Sequence, residues 1–336
     1  MKYKVLVTAE IDIDVLRNMF NDIEFDTAGY IENHEVMDSG DLKKIIAPYN
    51  ILISEFETVT KDVLDAADNL KFIICCRGGF RSVIDVETCK EKGILVEHNA
   101  GRNAGAVAEI VMGYILNWAR NISSSDKLVH NRVITSDTRN IPKEYRDSIW
   151  GFDNNSPYVA LRGRSVSYMT LGIVGYGNVG RKVAEKALAF GMKVMIYDPI
   201  DVSISLGENI VRADFKKLLS EADIVTLHCP VTSSNKDMMG KEEFKLMKKD
   251  GFFINAARGG LVDENALIWA LENGEISGAA IDVTKNEPIS DEDPLLNAPN
   301  LTITPHIAGA SDEVVKKGTE MVIHKLIGFL GMDIVM

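Results

Sequence analysis

Three side chains that together could move a proton and hold an anion follow predicted strands in the second half of the chain. Arg258 ends the apolar run FFINAAR, Glu287 lies just beyond GAAIDV, and His306 follows LTITP. Ligands bind at the carboxyl ends of the strands in an open parallel sheet, so we expect all three side chains at one edge of such a sheet. Hydride transfer from a small 2-hydroxy acid needs a base for the hydroxyl proton and a cation for the carboxylate. The three residues fit that chemistry.

Each of the three has a role in this hypothesis. His306 is the predicted acid–base group, and Glu287 would orient its ring and favour its charged form. Arg258 would hold the substrate carboxylate and polarise the C2 oxygen. Each also has an ordinary structural interpretation: a solvated loop charge for Arg258, a turn residue for Glu287 before Pro288, and a backbone-bonded histidine for His306. Their joint placement after three strands favours the catalytic interpretation.

The segment GYGNVG, from Gly175 to Gly180, predicts the cofactor. An apolar strand precedes it, a helix follows it, and Asp198 ends the next strand roughly 20 residues later, which completes a dinucleotide-binding fingerprint. Gly175 permits the tight turn, Gly177 lets the backbone approach a pyrophosphate, and Gly180 lets helix and strand pack closely. Asp198 can accept hydrogen bonds from both ribose hydroxyls and would repel a 2′-phosphate, and the following Pro199 is not basic, so NAD is favoured over NADP. A tight turn without a ligand is the alternative interpretation.

Two blocks of alternating strands and helices must position these groups. The first hundred residues alternate the strand patterns KVLVT, ILISEF, FIICC and ILVEHN with helical ones, and from Thr170 six further strand patterns alternate with helices. This alternation predicts two doubly wound parallel-sheet α/β domains, a Rossmann NAD-binding domain inserted into a flavodoxin-like substrate domain. We place the substrate domain at residues 1–103 and 308–336, because the last helix is expected to return to it, and the NAD-binding domain at 104–307.

Two segments between these blocks have less regular patterns. The helix at 107–122 is apolar on more than one face, so we expect another domain or another subunit to cover it. Residues 123–168 lose clear periodicity and are polar, which predicts a connection or a surface insertion.

Charge and composition exclude several classes of protein. The chain has 37 Lys and Arg against 49 Asp and Glu, a formal net charge of −12 without a basic run, which argues against nucleic acid and anionic membranes as partners. The N-terminus becomes charged too early for a signal peptide, and no later segment approaches a membrane span, so we expect a cytoplasmic protein. The four cysteines show neither CxxC nor metal-ligand spacing, so we expect reduced thiols and no metal site at Cys75, Cys76, Cys89 and Cys229.

Several longer segments resemble the D-isomer-specific 2-hydroxyacid dehydrogenase family, and its phosphoglycerate dehydrogenase branch most closely. In chain order they are LKFIICCRGG, GILVEHNAGRNAGAVAE, LGIVGYGNVGR, LHCPVT, INAARGGLVDE, GAAIDVTKNEP and LTITPHIAGA. The resemblance implies an NAD-dependent dehydrogenase of D-2-hydroxy acids with a catalytic domain made from both chain ends. It also implies a homodimer formed around the helix near 107–122, and it makes Arg258, Glu287 and His306 the catalytic group.

Motifs and resemblance together define the expected binding residues. The resemblance places Asp282 beside the nicotinamide and gives the amides of Gly78 and Gly79 to the substrate carboxylate. His228 ends a strand in LHCP and is assigned to the rim of the cofactor site. The expected substrate-binding residues are Arg77, Gly78 and Gly79, and the expected cofactor-binding residues are Gly175, Gly177, Asn178, Val179, Gly180, Asp198, Pro199, His228, Cys229, Pro230, Ala256, Ala257, Asp282 and Gly309.

Two alternatives stay open at this point. The substrate could carry a phosphate, as 3-phosphoglycerate does, because Arg77, Arg81 and Arg102 could meet one, although each could equally be a solvated surface charge. The chain could also be an NADH-sensing, corepressor-like regulatory protein without metabolic turnover. A complete set of Arg, Glu and His has no evident purpose in a pure sensor, which favours the enzyme.

Overall fold

The computed structural model describes residues 3–134, 156–200 and 209–331, and the chain divides into two compact units. Unit 1 comprises the residues up to Asn103 together with those from Ala310 onward, and unit 2 runs from Ala104 to Gly309. The chain leaves unit 1 after residue 103 and returns to it at Ala310, slightly beyond the expected residue 308.

Unit 1 is a doubly wound parallel sheet. Its strands are β1 (Lys4–Val7), β2 (Glu24–Thr27), β3 (Ile51–Ser54), β4 (Phe72–Cys75) and β5 (Leu95–His98). Its helices are α1 (Ile13–Met19), α2 (Tyr30–Asn33), α3 (Ser39–Ile45), α4 (Lys61–Asp65) and α5 (Val86–Glu91), and the C-terminal helix, Asp312–Leu330, packs on α1. The strand order β2-β1-β3-β4-β5 is the flavodoxin-like order, in which the progression of strands reverses between β1 and β3.

The strands of unit 1 differ in how clearly the sequence marks them. All residues of β3 and β4 are buried, because helices cover both faces of a parallel sheet, and both strands are therefore continuous apolar runs. Strand β2 was not among the predicted strands. It lies at the edge of the sheet and buries only Phe25, so it leaves almost no hydrophobic pattern in the sequence.

Unit 2 is a second doubly wound parallel sheet, with one strand more than the six expected. Its strands are β6 (Thr170–Val174), β7 (Lys193–Tyr197), β8 (Ile210–Arg212), β9 (Ile224–Leu227), β10 (Phe252–Asn255), β11 (Gly278–Ile281) and β12 (Leu301–Ile303). The order β12-β11-β10-β9-β6-β7-β8 reverses between β6 and β9, as in a Rossmann fold. The additional strand, β8, is short and lies at the edge of the sheet. The predicted fold class, two doubly wound α/β domains, is confirmed.

The helices of unit 2 include the apolar segment expected at 107–122. They are α6 (Ala104–Ala119), α7 (Ile122–His130), α8 (Pro157–Ala160), α9 (Asn178–Ala189), α10 (Phe215–Glu221), α11 (Lys241–Leu246) and α12 (Glu264–Glu272). Helix α6 packs on α9 and β10, so its own unit, rather than another domain or subunit, covers most of its apolar surface. Helices α7 and α8 lie in the segment predicted to be a connection, of which residues 135–155 are outside the described residues. None of the helices in the described ranges is long and apolar enough to cross a membrane.

Candidate active site

The glycine loop joins β6 to α9, as the fingerprint predicts. Gly175 has a φ of +92°, and a side chain there would lie 2.8 Å from the backbone that follows β9. A methyl group on Gly180 would lie 2.2 Å from the carbonyl oxygen of Gly175, so the helix can approach the strand this closely only with glycine. At Gly177, by contrast, no described atom other than those of the glycine and its two chain neighbours lies within 4 Å of the position that a Cβ would take. The loop is a tight turn whose backbone is open to a ligand, which is what a pyrophosphate requires.

The start of helix α9 provides donors for that ligand. Gly177 is the N-terminal cap residue, and Asn178 and Val179 form the start of the first turn. The first amides of a helix have no partner within the helix, and the helix dipole is positive at this end. The N-terminus of α9 lies after β6, next to the reversal point of the sheet, where doubly wound folds bind nucleotides.

Asp198 follows β7 and is held beside the glycine loop. Its carboxylate accepts hydrogen bonds from the backbone amides of Tyr176, at 2.8 Å, and Ile200, at 3.0 Å. These bonds orient the carboxylate that the sequence analysis assigns to the ribose hydroxyls, while the following Pro199 is exposed. The guanidinium of Arg212, on β8, donates to the carbonyl oxygens of Asp198 and Ile200. The sequence analysis missed this cation because it missed β8.

The LHCP segment follows β9 on the other side of the reversal point. The backbone of His228 and Cys229 lies against the glycine loop, because it is what a side chain at Gly175 would strike. Nε2 of His228 lies 2.9 Å from Oγ1 of Thr226, and burial lowers the pKa of His228 to about 3. The ring is therefore neutral at physiological pH. The ring is hydrogen-bonded to Thr226, whereas the backbone of His228 and Cys229 lies against the glycine loop. The backbone of this segment is therefore a better candidate for the rim of the cofactor site than the histidine ring.

The turn after β10 carries Ala256, Ala257 and Arg258. The buried side chain of Asn255, the last residue of β10, accepts a hydrogen bond from the Ala257 amide at 3.1 Å and donates one to the Arg258 carbonyl oxygen at 2.9 Å. The turn is closed in this way and leaves Arg258 exposed after the strand. The sequence analysis did not single out Asn255, and the signal for it is a polar residue at the end of an otherwise apolar strand.

His306 and Glu287 form a hydrogen-bonded pair. Nδ1 of His306 lies 2.7 Å from Oε2 of Glu287, and the other carboxylate oxygen accepts a hydrogen bond from the Thr284 amide at 3.1 Å. Glu287 is thus held at both oxygens, and Nε2 of His306 is the ring nitrogen left for a substrate. The two side chains are 50% and 37% exposed, so a ligand can reach them.

A buried carboxylate holds the loop that carries His306. Asp282, which is 2% exposed, accepts hydrogen bonds from Thr304 Oγ1 at 2.5 Å and from the amides of Ile307 and Ala308 at 2.9 and 2.8 Å. Its carbonyl oxygen accepts the His306 amide at 2.8 Å. His306 has a φ of +56°, which is unfavourable for a residue with a side chain, and these bonds stabilise that conformation.

The carboxylate of Asp282, which the resemblance places beside the nicotinamide, is hydrogen-bonded to the loop around His306. Its place beside the nicotinamide stays a prediction. The hydroxyl of Tyr114, on α6, is hydrogen-bonded to Thr304 and extends this network into the helix. The sequence analysis missed both Thr304 and Tyr114, because the contact joins residues that are far apart in the chain.

Arg258, Glu287 and His306 follow three strands that are neighbours in the sheet, β10, β11 and β12. The ends of these strands are level, since Asn255 is paired with Ile281 and Ile281 with Ile303. Unit 2 therefore carries the three residues on one edge of one sheet. The expected cofactor-binding residues lie at that same edge, after β6, β7, β9, β10, β11 and β12.

The expected substrate-binding residues lie in unit 1, after β4. Gly78 and Gly79 are exposed, and their amides donate to no acceptor among the residues that the structure describes. The guanidinium of Arg77 lies 5.6 Å from the centre of the Phe56 ring. The residues Phe80–Ser82 form a 3₁₀ turn. This loop offers free backbone donors at the carboxyl edge of the unit 1 sheet.

A family model described as the NAD binding domain of D-isomer specific 2-hydroxyacid dehydrogenases matches residues 112–308. The match includes the glycine loop and the three strand ends that carry Arg258, Glu287 and His306. Individual relatives align with this sequence over most of its length.

A hydroxypyruvate reductase of Thermotoga maritima is 33% identical over 98% of this chain and 99% of its own length. A D-3-phosphoglycerate dehydrogenase of Methanocaldococcus jannaschii is 34% identical over 95% of this chain and 56% of its own length. Among solved structures, a D-lactate dehydrogenase of Aquifex aeolicus complexed with NAD and lactic acid is 25% identical. It aligns over 98% of this chain and 95% of its own with a TM-score of 0.73.

Proposed function

The chain belongs to the D-isomer-specific 2-hydroxyacid dehydrogenase family, and from this premise we propose that it transfers a hydride between NAD(H) and a small D-2-hydroxy acid or 2-keto acid. The observation that carries the proposal is the His306–Glu287 pair, which lies on strand ends next to Arg258 in the unit that also contains the glycine loop. This arrangement combines an acid–base group, its orienting carboxylate and a carboxylate-binding cation.

Unit 2 has the groups that NAD requires. The open backbone at Gly177 and the first amides of α9 would hold the pyrophosphate, and the carboxylate of Asp198 would accept the ribose hydroxyls. When bound, NADH supplies the hydride and NAD+ accepts it. Asp198 and the non-basic Pro199 support NAD rather than NADP.

The residues of this chain account for the remaining chemistry. In the direction of reduction, Arg258 binds the substrate carboxylate and polarises the C2 carbonyl. As C2 gains the hydride, Nε2 of His306 donates a proton to the C2 oxygen, which gives the hydroxyl group. Glu287 holds the ring by Nδ1 and stabilises its positive charge before the transfer. In the direction of oxidation, neutral His306 takes the same proton back.

The protein is also proposed to form a homodimer on the side of α6. The segments that follow α6 have exposed apolar side chains, including Ile122, Val129, Tyr158 and Tyr168, of which Tyr168 is 91% exposed. Such side chains in neighbouring segments favour burial against a second copy. Light scattering on the purified protein should give twice the chain mass, and a monomer mass at micromolar concentration would rule the dimer out.

The test of the proposed function is consumption of NADH, followed at 340 nm, by purified protein with a panel of 2-keto acids. The panel should include glyoxylate, pyruvate and hydroxypyruvate. We expect turnover with at least one of them and weaker turnover with NADPH. Tight NADH binding without turnover across the panel would instead support the sensor, because a sensor needs the cofactor site but no acid–base group.

A further inference from the structure

The loops of unit 2 that carry Arg258 and Glu287 are in direct backbone contact. Arg258 belongs to the turn after β10, and Glu287 belongs to the loop after β11. A methyl group at Gly259 would lie 2.1 Å from the carbonyl carbon and oxygen of Thr284 and 2.5 Å from the Lys285 amide nitrogen. This close approach therefore requires glycine, and the place of the Glu287 loop depends on its contact with the Arg258 turn.

A third segment, between β9 and α11, lies along the Arg258 turn. The Asp237 amide donates a hydrogen bond to the Gly260 carbonyl oxygen at 2.9 Å, and the Met239 amide donates one to the Leu261 carbonyl oxygen at 3.1 Å. Asp237 has a φ of +53°, which is unfavourable for most residues with a side chain but is tolerated by aspartate. These bonds fix the segment to the turn after β10 and thereby fix the place of the Asp237 carboxylate.

The Asp237 carboxylate forms an ion pair with the loop that carries Glu287. Its Oδ1 lies 2.6 Å from Nζ of Lys285, and the side chains of Asp237 and Lys285 are 39% and 33% exposed. Asp237 thus joins the two loops, because its amide is bonded to the Arg258 turn and its carboxylate is paired with Lys285. In the sequence, Lys285 is two residues before Glu287.

The backbone of Lys285 has a second carboxylate partner. Oε1 of Glu264, in the first turn of α12, accepts a hydrogen bond from the Lys285 amide at 2.7 Å. Burial raises the pKa of Glu264, and the hydrogen bond and the charge of Lys285 oppose this effect. Lys285 is therefore held at its amide by α12 and at its ammonium group by Asp237. The neighbouring Thr284 amide donates to Oε1 of Glu287 at 3.1 Å, so the contacts continue to the catalytic candidate.

The half-exposed pair of Asp237 and Lys285 is poorly suited to a purely stabilising role. Water screens such a pair, and its two side chains lose conformational freedom, so it adds little to the stability of a domain. It can, however, fix the orientation of a short loop. A small displacement of a catalytic group lowers the rate of a reaction much more than it lowers the stability of the fold.

We propose that Lys285 and Asp237 are positioning residues for the reaction. Their ion pair holds the loop of Glu287 against the turn of Arg258, so that Glu287 can orient His306. Both residues act through Glu287 rather than on the substrate. This inference rests on the proposed function, because it assigns a role in the same reaction.

The test is a double-mutant cycle on kcat, measured with NADH and the fastest substrate among glyoxylate, pyruvate and hydroxypyruvate. Lys285→Met keeps the length of the side chain but removes its charge, so we expect kcat to fall by about 2–10-fold. The Kd of NADH, measured by fluorescence titration, should be unchanged. If Lys285 acts through Glu287, Lys285→Met should lower kcat by less than about 1.5-fold in the Glu287→Ala background.

Three further variants assign the effect to the ion pair. Asp237→Asn keeps the shape of the side chain and tolerates the same backbone conformation, so kcat should fall as far as in Lys285→Met, and the double variant should be no slower than either. Lys285→Arg keeps the charge and should retain kcat within about twofold. Lys249→Met is the matched control, because Lys249 pairs with Glu275 at 2.7 Å at the opposite edge of the same sheet and should leave kcat unchanged.

The outcomes separate this inference from the proposed function. If the wild-type protein reduces none of the three acids, the proposed function fails and this inference fails with it. The positioning proposal fails alone if the wild-type protein is active and Lys285→Met, melting at the wild-type temperature, retains its kcat. It also fails if Lys285→Met lowers kcat by the same factor with and without the Glu287 side chain. Should Lys285→Met be unfolded, Asp237→Asn decides by the same two criteria.

Discussion

The two parallel sheets of this protein carry charged side chains at their carboxyl edges that differ in exposure to solvent. In unit 2, His306, Glu287 and Arg258 are exposed after β12, β11 and β10, and buried hydrogen bonds hold the loops that carry them. In unit 1, Glu55 and Arg102 are buried and neutralise each other. The same topological rule brings charged side chains to both edges, but the three of unit 2 are exposed and the Glu55–Arg102 pair of unit 1 is not. We infer that the edge of unit 2 carries the reactive groups, whereas the buried pair stabilises unit 1.

The largest expected effect tests whether the reactive group lies in unit 2. Replacing His306 with Gln removes the acid–base nitrogen but keeps a polar side chain of similar size. We expect kcat to fall by about 10²–10⁴-fold, the usual contribution of a general acid–base group. The Kd of NADH, measured by fluorescence titration, should stay within about twofold of the wild-type value, since the ring does not hold the cofactor. A variant with unchanged kcat would show that the acid–base group is not His306.

A smaller effect separates cofactor binding from reaction within unit 2. Asp198→Ser removes the carboxylate that would repel a 2′-phosphate, and Arg212 lies beside this position. We expect the ratio of kcat/KM for NADPH to that for NADH to rise by about 10–100-fold, because a like charge has been removed. The preference among 2-keto acids should not change. An unchanged coenzyme ratio would mean that Asp198 does not face the ribose.

The smallest effect tests whether buried residues position the exposed histidine. Thr304→Val keeps the shape of the side chain but removes its hydrogen bonds to Asp282 and Tyr114. We expect kcat to fall by about 2–10-fold, because the carboxylate that holds the His306 loop loses one donor, with little change in the Kd of NADH. Thr304→Ser should restore kcat. If Val and Ser variants lose the same activity, the hydrogen bond does not position His306.

The features that could be predicted best from the sequence are those whose residues are close together in the chain. The glycine loop was predictable because its turn, its open backbone and its helix start all lie between Gly175 and Gly180. The three catalytic candidates were predictable because each lies a few residues beyond an apolar strand. Strands β2 and β8 were missed because edge strands bury few side chains and therefore have weak apolar patterns.

Contacts between distant parts of the chain could not be predicted from patterns. Glu55 and Arg102 are 47 residues apart, so the sequence offered Arg102 as a free cation when the fold pairs it with a buried carboxylate. Thr304 and Tyr114 are 190 residues apart, and nothing in either local sequence indicates that they meet. Local motifs thus locate the reactive edge of unit 2, whereas tertiary pairing determines the charge of the unit 1 edge.

The central claim is that this chain delivers a hydride to C2 of a 2-keto acid and forms the D-hydroxy acid. The most direct measurement is the reduction of hydroxypyruvate with NADH deuterated at both C4 positions, followed by mass spectrometry and chiral separation of the glycerate formed. We expect D-glycerate with one deuterium at C2. Glycerate without deuterium at C2, glycerate of the L configuration, or no reduced product from any 2-keto acid that binds would contradict the proposed reaction.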